Sequence, residues 1–413
     1  MSERSLSDLF SAGMRGLDPA RESYVPDVVA LILQQAREHR ASDVHLIPEA
    51  DRLLMQWRID GVLHTIAGFP SDLIPRVSAR LKVLSGLLTY RTDLPQEGRI
   101  ADPAVGESGE VRVTTFPTLF GEKVAIRLFA AAAQFQSVAA LGFPEDIQQA
   151  LTRALRQTSG VLLLTGPSGS GKTTSAYACL RQIIEEFGQS KSVMTLEDPV
   201  EVVVPGATQS QVNPTVDFDL AVGVKSMMRQ DPDVILVGEI RDPQTAQGAF
   251  QAALTGHLVI TTFHAGSNVE AVTRLLDLGI EPYLIRSTLR AAICQRLLRR
   301  ACSDCASSST TRELENSSNC SDKPPETQAL QDECPTCGGL GYHGRFVTAE
   351  LLDPDLPEVG RAITDQSDAH QLSGVLVQSG VLSLHQRAEQ LVDAGRTTAE
   401  EVFRVLGSRR KHS

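Results

Sequence analysis

Val161-Leu-Leu-Leu-Thr-Gly166-Pro167-Ser168-Gly169-Ser170-Gly171-Lys172-Thr173 is the stretch on which the reading of the fold turns. Val161 to Leu164 is an apolar run of strand character, and Thr174 to Phe187 is compatible with a helix. Between them, Gly166 to Thr173 fits the pattern of a glycine, any four residues, then Gly-Lys-Ser/Thr. The spacing has a mechanism. Glycines let backbone N–H groups curl around a β-phosphate, and the helix N-terminus adds partial positive charge. Lys172 spans the β- and γ-phosphates, Thr173 is placed for Mg²⁺, and Thr174 belongs to the same cradle. The ordinary alternative, a glycine-rich turn with an accidental lysine, sits badly with a strand before the loop and a helix after it.

Outward from this loop, Ser192 to Leu196, Val234 to Val237 and Leu258 to Thr262 are further strand-like runs alternating with helix-like stretches, the pattern of a largely parallel α/β sheet. Glu197 and Glu239 each close one of these strands. Carboxylates at strand ends beside a phosphate loop are placed to hold Mg²⁺ through water or to orient an attacking water, although acids also end strands as solvated turn residues. His257 and His264 bracket another strand; packing or capping is the ordinary role of a lone histidine, and sensing of a γ-phosphate is the functional one.

Upstream lies a different pattern. Residues 1–25 are rich in Ser, Gly and Asp, and are expected to be a flexible tail carrying one amphipathic turn at Leu6, Leu9, Phe10 and Met14. From residue 26 to about 135, a helix ending near His39, a strand at Val44 to Ile47, a hairpin turning at Asp60-Gly61, a helix through Val77 and Leu81, and two more alternating strands predict a small α+β domain. Alternation puts Arg112 and Arg127 opposite the apolar sets Val111/Val113 and Val124/Ile126/Leu128. Residues 136–413 form the second domain, ending in helical spacing over 355–407.

Composition bounds the function. With 413 residues, 42% hydrophobic and 22% charged, the chain reads as a soluble globular protein of two or three domains. A formal charge of −11 argues against electrostatic coating of nucleic acid or anionic lipid. No basic-apolar leader opens the sequence and no apolar run approaches ~18 residues, so a cytoplasmic location is expected. Seven cysteines in that compartment read as reduced. Four of them, Cys302-x-x-Cys305 and Cys334-x-x-Cys337, suit tetrahedral Zn²⁺, with redox or idle thiols as the alternative. Residues 306–333 between the pairs are Ser, Asn, Pro and Glu rich and read as a mobile loop.

Taken as an ordered series, these residues resemble the secretion ATPase superfamily, specifically the hexameric motors of type II secretion and type IV pilus assembly. The first domain carries Ala41-Ser-Asp-Val-His-Leu46, Arg58-Ile-Asp-Gly61, Leu94-Pro-Gln-Glu-Gly-Arg99-Ile100, Val111-Arg-Val-Thr-Thr115 and Gly121-Glu-Lys-Val124. The second carries the phosphate loop, Thr195-Leu-Glu-Asp-Pro-Val-Glu201, Met228-Arg-Gln-Asp-Pro-Asp-Val-Ile-Leu-Val-Gly-Glu-Ile-Arg-Asp242, the histidine segment from Thr255 to Ala265, and Gln295-Arg-Leu297.

The resemblance implies a RecA-like P-loop ATPase domain preceded by a smaller PAS-like α+β domain, with a tetracysteine zinc subdomain at 300–345 and a helical C-terminus. It also implies ATP, Mg²⁺ and Zn²⁺, a homo-hexamer, and an inner-membrane platform protein as partner, with no nucleic acid. Glu239 or Glu197 would act on Mg²⁺ or water, His264 and His257 would face the γ-phosphate, and Arg99, Arg112 and Arg127 would reach it from the first domain. Family assembly motors carry the four cysteines ahead of a segment matched by Gly341-Tyr-His-Gly-Arg345, whereas retraction motors generally lack them. A pilus retraction motor, a nucleic-acid translocase with a RecA-like core, and a nucleotide-binding scaffold without turnover are the competing readings.

Overall fold

The computed structural model describes residues 6–101, 110–128, 135–305, 334 and 336–408. By contact the chain divides into two compact units, Met1–Ala130 with Arg299–Gly344, and Ala131–Leu298 with Arg345–Ser413.

In the first unit, helices α1 (Leu6–Met14) and α2 (Tyr24–Glu38) precede strands β1 (Ala41–Pro48), β2 (Arg52–Ile59) and β3 (Val62–Pro70). Helix α3 (Leu73–Leu84) and strands β4 (Gln96–Ala101), β5 (Glu110–Thr118) and β6 (Gly121–Leu128) follow. The sheet order is β3-β2-β1-β6-β5-β4, and every pairing in it is antiparallel. Strand alternation buries Val44, Leu46, Met55, Trp57, Val113 and Ile126 on one face, where α2 and α3 add Val28, Ile32, Val77 and Leu81. The β2–β3 turn falls at Asp60-Gly61 as expected, both with positive φ (48° and 87°), the geometry a two-residue hairpin needs.

Two expectations are corrected here. The amino-terminal segment is not simply a tail: Leu6–Met14 is a helix, and Phe10 is fully buried, edge-on to Trp57 and Phe69 at 6.0 and 5.9 Å between ring centroids. The cysteine module, placed by the sequence reading inside the second domain, groups by contact with the first unit. The cause is local: Leu340 packs on that unit's core, Arg40 meets His343 at 3.3 Å, and the Gly344 N–H donates to Asp60 at 2.8 Å.

The second unit begins with α4 (Glu145–Leu155), β7 (Gly160–Thr165), α5 (Lys172–Phe187), β8 (Val193–Glu197), β9 (Thr208–Gln211) and α6 (Leu220–Met227). It continues through β10 (Val234–Val237), α7 (Pro243–Leu254), β11 (Leu258–Phe263), α8 (Asn268–Asp277), α9 (Pro282–Thr288), β12 (Leu289–Ala301) and β13 (Tyr342–Leu352). Four helices end it: α10 (Pro357–Thr364), α11 (Ala369–Gln378), α12 (Leu384–Asp393) and α13 (Ala399–Leu406). The division between units falls within β12 and β13. Sheet order is β13-β12-β7-β11-β10-β8-β9, and the pairings from β12 through β9 are parallel. Val161 and Leu163 enter one apolar layer, Leu162 and Leu164 the other, so β7 is covered on both faces, as a parallel sheet requires. Ligands of such sheets gather at the carboxyl ends of the strands, which here are Thr165, Glu197, Val237 and Phe263.

Candidate active site

The glycine-rich loop leaves β7 at its carboxyl end and enters α5 at Lys172. Gly166, Gly169 and Gly171 all have positive φ (146°, 75° and 90°), a backbone region that L-residues avoid. At Gly166 the surroundings are as demanding as the torsion, since a Cβ there would lie 2.5 Å from Ser170 Oγ and 2.7 Å from the Gln295 carbonyl. Nothing lies within 4 Å of a Cβ at Gly169, and Pro167, Ser168 and Gly169 are exposed. The loop is therefore braced at its base and open at its rim. Gln295 supplies the brace, its Nε2 donating to the Ser170 carbonyl at 2.7 Å.

Lys172 is buried and donates to the carbonyls of Gly166 and Pro167 at 2.8 and 3.0 Å. Burial pulls its pKa down to about 8; the Glu239 carboxylate opposes the shift, while the Arg296 guanidinium adds to it. Thr173 and Thr174 follow in the first turn of α5, partly exposed. The cradle of left-handed glycines, the half-open rim and a buried ammonium together fit a nucleotide polyphosphate.

Glu239, two residues past β10, is an acid whose charge acts on this ammonium. One carboxylate oxygen is 2.9 Å from His264 Nε2, and the other accepts from Arg241 Nε at 2.7 Å. Arg241 reaches on to Asp198 at 3.3 Å. Burial lowers the His264 pKa, Lys172 adds to that, and Glu239 opposes it. Glu239, His264 and Lys172 thus act on one another electrostatically, and a carboxylate so placed has the chemistry to hold Mg²⁺ or to accept a proton from water.

Glu197 is different. It is 3% exposed, and its carboxylate accepts from Tyr177 Oη, from Thr195 Oγ1 at 2.6 Å and from Gln209 Nε2 at 3.1 Å. The Tyr177 oxygen in turn accepts the Glu201 N–H at 3.1 Å, so this acid pins the segment after β8 to α5. The sequence left open which glutamate is the base; Glu197 is the more buried and the more fully hydrogen-bonded of the two.

The two histidines also part company. His264 follows β11 at the phosphate-loop end. His257 precedes β11, where its carbonyl accepts the Gly160 N–H and its Nδ1 lies 2.8 Å from the Ala252 carbonyl. A strand of this length separates it from the loop by roughly 20 Å at ~3.3 Å per residue. The expected bracketing is real in sequence, but the structure does not bring His257 to the site.

In the first unit, Arg99, Arg112 and Arg127 are direct cross-strand partners on β4, β5 and β6, and the same row continues through Asp43 on β1 to Arg58 on β2. Asp43 pairs with Arg127 at 3.0 Å and Arg58 at 3.8 Å, and Glu97 pairs with Arg112 at 3.2 Å. The row carries four cations against one acid, on the face opposite the core. Arg58 and Asp43 were quoted from the sequence only as parts of motifs; their place in the row needs the register.

The four cysteines are buried and unbridged, with all Sγ atoms within 4.8 Å of one another. Cys302–Cys334 and Cys305–Cys337 Sγ separations are 3.7 and 3.6 Å, against about 3.8 Å for the edge of a tetrahedron with ~2.3 Å Zn–S bonds. The Gly341 N–H donates to Cys337 Sγ at 3.3 Å, the kind of outer contact that steadies a thiolate ligand. The donor set fits Zn²⁺.

Residues 19–404 match the family model described as type II/IV secretion system protein. The chain belongs to that family. It is 37% identical over 391 residues to the type IV pilus assembly ATPase TfpB of Acinetobacter baylyi, covering 94% of this chain and 66% of that one. To the type II secretion system protein HxcR of Pseudomonas aeruginosa it is 36% identical over 389 residues, covering 94% and 79%. Among solved structures, the Yersinia pseudotuberculosis ATPase DotB superposes with a TM-score of 0.69 at 19% identity, covering 94% of this chain and 95% of that one, which speaks to fold. Among the described residues, no helix is long and apolar enough to cross a membrane.

Proposed function

We propose that this protein is an ATP hydrolase that works as a homo-hexameric motor of type II secretion or type IV pilus assembly. The observation that carries the reading is the Glu239 carboxylate, held between His264 and Arg241 beside the buried Lys172. Backbone N–H groups of Ser168 to Thr173 and the Lys172 ammonium bind the β- and γ-phosphates. Glu239 accepts the proton of the attacking water, and His264, sharing that carboxylate, reports the presence of the γ-phosphate. Thr173 is the residue that would hold Mg²⁺, whose charge would neutralise the phosphate oxygens. Arg99, Arg112 and Arg127 bring positive charge to the γ-phosphate during the cycle, a role that a common row on one sheet face supports. Cys302, Cys305, Cys334 and Cys337 would hold Zn²⁺ as a structural staple, and this module favours assembly or export over retraction.

The motor acts from the cytoplasmic side on an inner-membrane platform protein and takes no nucleic acid. Purified protein is expected to hydrolyse ATP with Mg²⁺ and to run as a hexamer by light scattering. Lys172→Ala is expected to retain the fold, by circular dichroism, and lose turnover. An intact hexamer without hydrolysis, alone or with the platform partner, would overturn the reading.

A further inference from the structure

Strand β10 lies between β8 and β11, and the chain leaving it is held by both neighbours. The Gly238 N–H donates to the Leu196 carbonyl at 2.8 Å, the Gly238 carbonyl accepts from Thr262 Oγ1 at 2.7 Å, and the Ile240 N–H donates to the Thr262 carbonyl at 3.0 Å. The approach to β8 is close, since a Cβ at Gly238 would lie 3.2 Å from the Glu197 Cα. Ile240 is buried, and Asp242 caps α7 by accepting the N–H groups of Gln244 and Thr245. The backbone on both sides of Glu239 and Arg241 is therefore fixed. What remains to be set is where these two side chains point.

Two contacts set Glu239: Oε1 lies 2.9 Å from His264 Nε2, and Oε2 accepts from Arg241 Nε at 2.7 Å. The Arg241 side chain is 58% exposed, and an exposed guanidinium paired with one carboxylate is held only weakly. Here a second acid holds its other end, with Arg241 Nη1 donating to Asp198 Oδ2 at 3.3 Å across the exit of β8. The planar fork of an arginine suits this, because separate nitrogens serve two acids at once. Asp198 directly follows Glu197, whose main chain lies against Gly238, so both anchors of the guanidinium are tied to adjacent strands. The second acid matters most when the phosphate loop is filled. A triphosphate over Lys172 would bring several negative charges to the region of Glu239, and a guanidinium shared with one acid alone would be drawn toward them. Asp198 opposes that pull.

We propose that Arg241 is a positioning residue for Glu239: it occupies one carboxylate oxygen so that the other is presented to the attacking water, and Asp198 keeps it there when phosphates bind. The part in turnover rests on the ATPase reading above; the placement of the Glu239 side chain does not.

Steady-state kinetics on the full-length Arg241→Ala, Arg241→Lys and Asp198→Asn proteins and on the Asp198→Asn/Arg241→Ala double variant, with crystal structures of the Arg241 variants, test this. In Arg241→Ala, kcat is expected to fall about 30-fold while KM for ATP stays within about threefold, because the phosphate loop is untouched. Arg241→Lys keeps the charge without the fork, and its kcat is expected to stay at least about fivefold below that of the unaltered protein. Asp198→Asn is expected to cost about fivefold in kcat where Arg241 is present and less than about 1.5-fold where it is alanine, since Asp198 acts through that guanidinium. In the crystal structures Glu239 is expected to leave its rotamer or to spread over several. Should the alanine protein not fold, the lysine and asparagine proteins carry the test. Parallel worsening of kcat and KM, full recovery by lysine, an equal cost of Asp198→Asn in both backgrounds, or an unmoved Glu239 would overturn the proposal. Absence of hydrolysis in the unaltered protein would count against the ATPase reading, and the crystal structures would still decide the placement of Glu239.

Discussion

The carboxylate of Glu197 is occupied by two hydroxyls and an amide, whereas that of Glu239 meets a histidine and an arginine within reach of the phosphate-loop lysine. Glu197→Gln is accordingly expected to act mainly on stability, costing about 1–3 kcal/mol in urea unfolding through a mispaired buried network. Lys172 gives a pH signature. On the proposed reading ATP binds the ammonium form, so affinity in the nucleotide-free protein is expected to hold below pH 8 and to weaken as pH rises through Lys172's lowered pKa of about 8. Isothermal titration from pH 6.5 to 9.5 checks the sign; affinity improving above pH 8 would contradict it. The strand, glycine turn and helix around Lys172 were legible because spacing and flanking pattern point the same way. The roles of Glu197 and His257 were not, since a strand-end acid or histidine looks the same in sequence whether it faces a ligand or packs away from it.

At the level of elements, the alternating hairpin and the apolar strands of the parallel sheet were readable from periodicity. Strand β4, with the sequence Gln-Glu-Gly-Arg-Ile-Ala, shows little alternation, and β12 mixes arginines with small and apolar residues along 13 positions. Their pairing is decided by neighbours rather than by pattern, and so the arginine row that needs β4 was invisible as a row. Helix α1 shows the same limit in reverse: its amphipathic turn was noted, but that Phe10 fills a ring-lined site beside Trp57 needs the tertiary partner. Phe10→Ala is expected to destabilise the first unit by about 3–5 kcal/mol, read as a lower unfolding midpoint. The buried pair of Lys82 with Glu122, 2.5 Å apart, sets a second test. Lys82→Met removes one partner and strands the other, at a cost of about 3–5 kcal/mol, whereas replacing both residues with apolar ones is expected to recover much of that loss.

For the molecule as a whole, the sequence order of domains and the spatial grouping disagree at one place, the cysteine module, which is encoded between β12 and β13 yet groups with the amino-terminal unit. Chain order gives no warning of such a return, because the contacts that make it, Arg40 with His343 and Asp60 with Gly344, lie about 300 residues apart. Cys302→Ser is expected to abolish stoichiometric zinc by elemental analysis and to lower the unfolding temperature, while the isolated chemistry of the phosphate loop persists. Turnover depends, on the proposed reading, on a division of labour at the loop itself. Single-turnover hydrolysis of ATP by Glu239→Gln, measured beside nucleotide affinity, addresses it most directly: affinity is expected to stay within about threefold of the unaltered protein while the rate drops about 10²–10⁴-fold. Hydrolysis at an undiminished rate in that variant would contradict it.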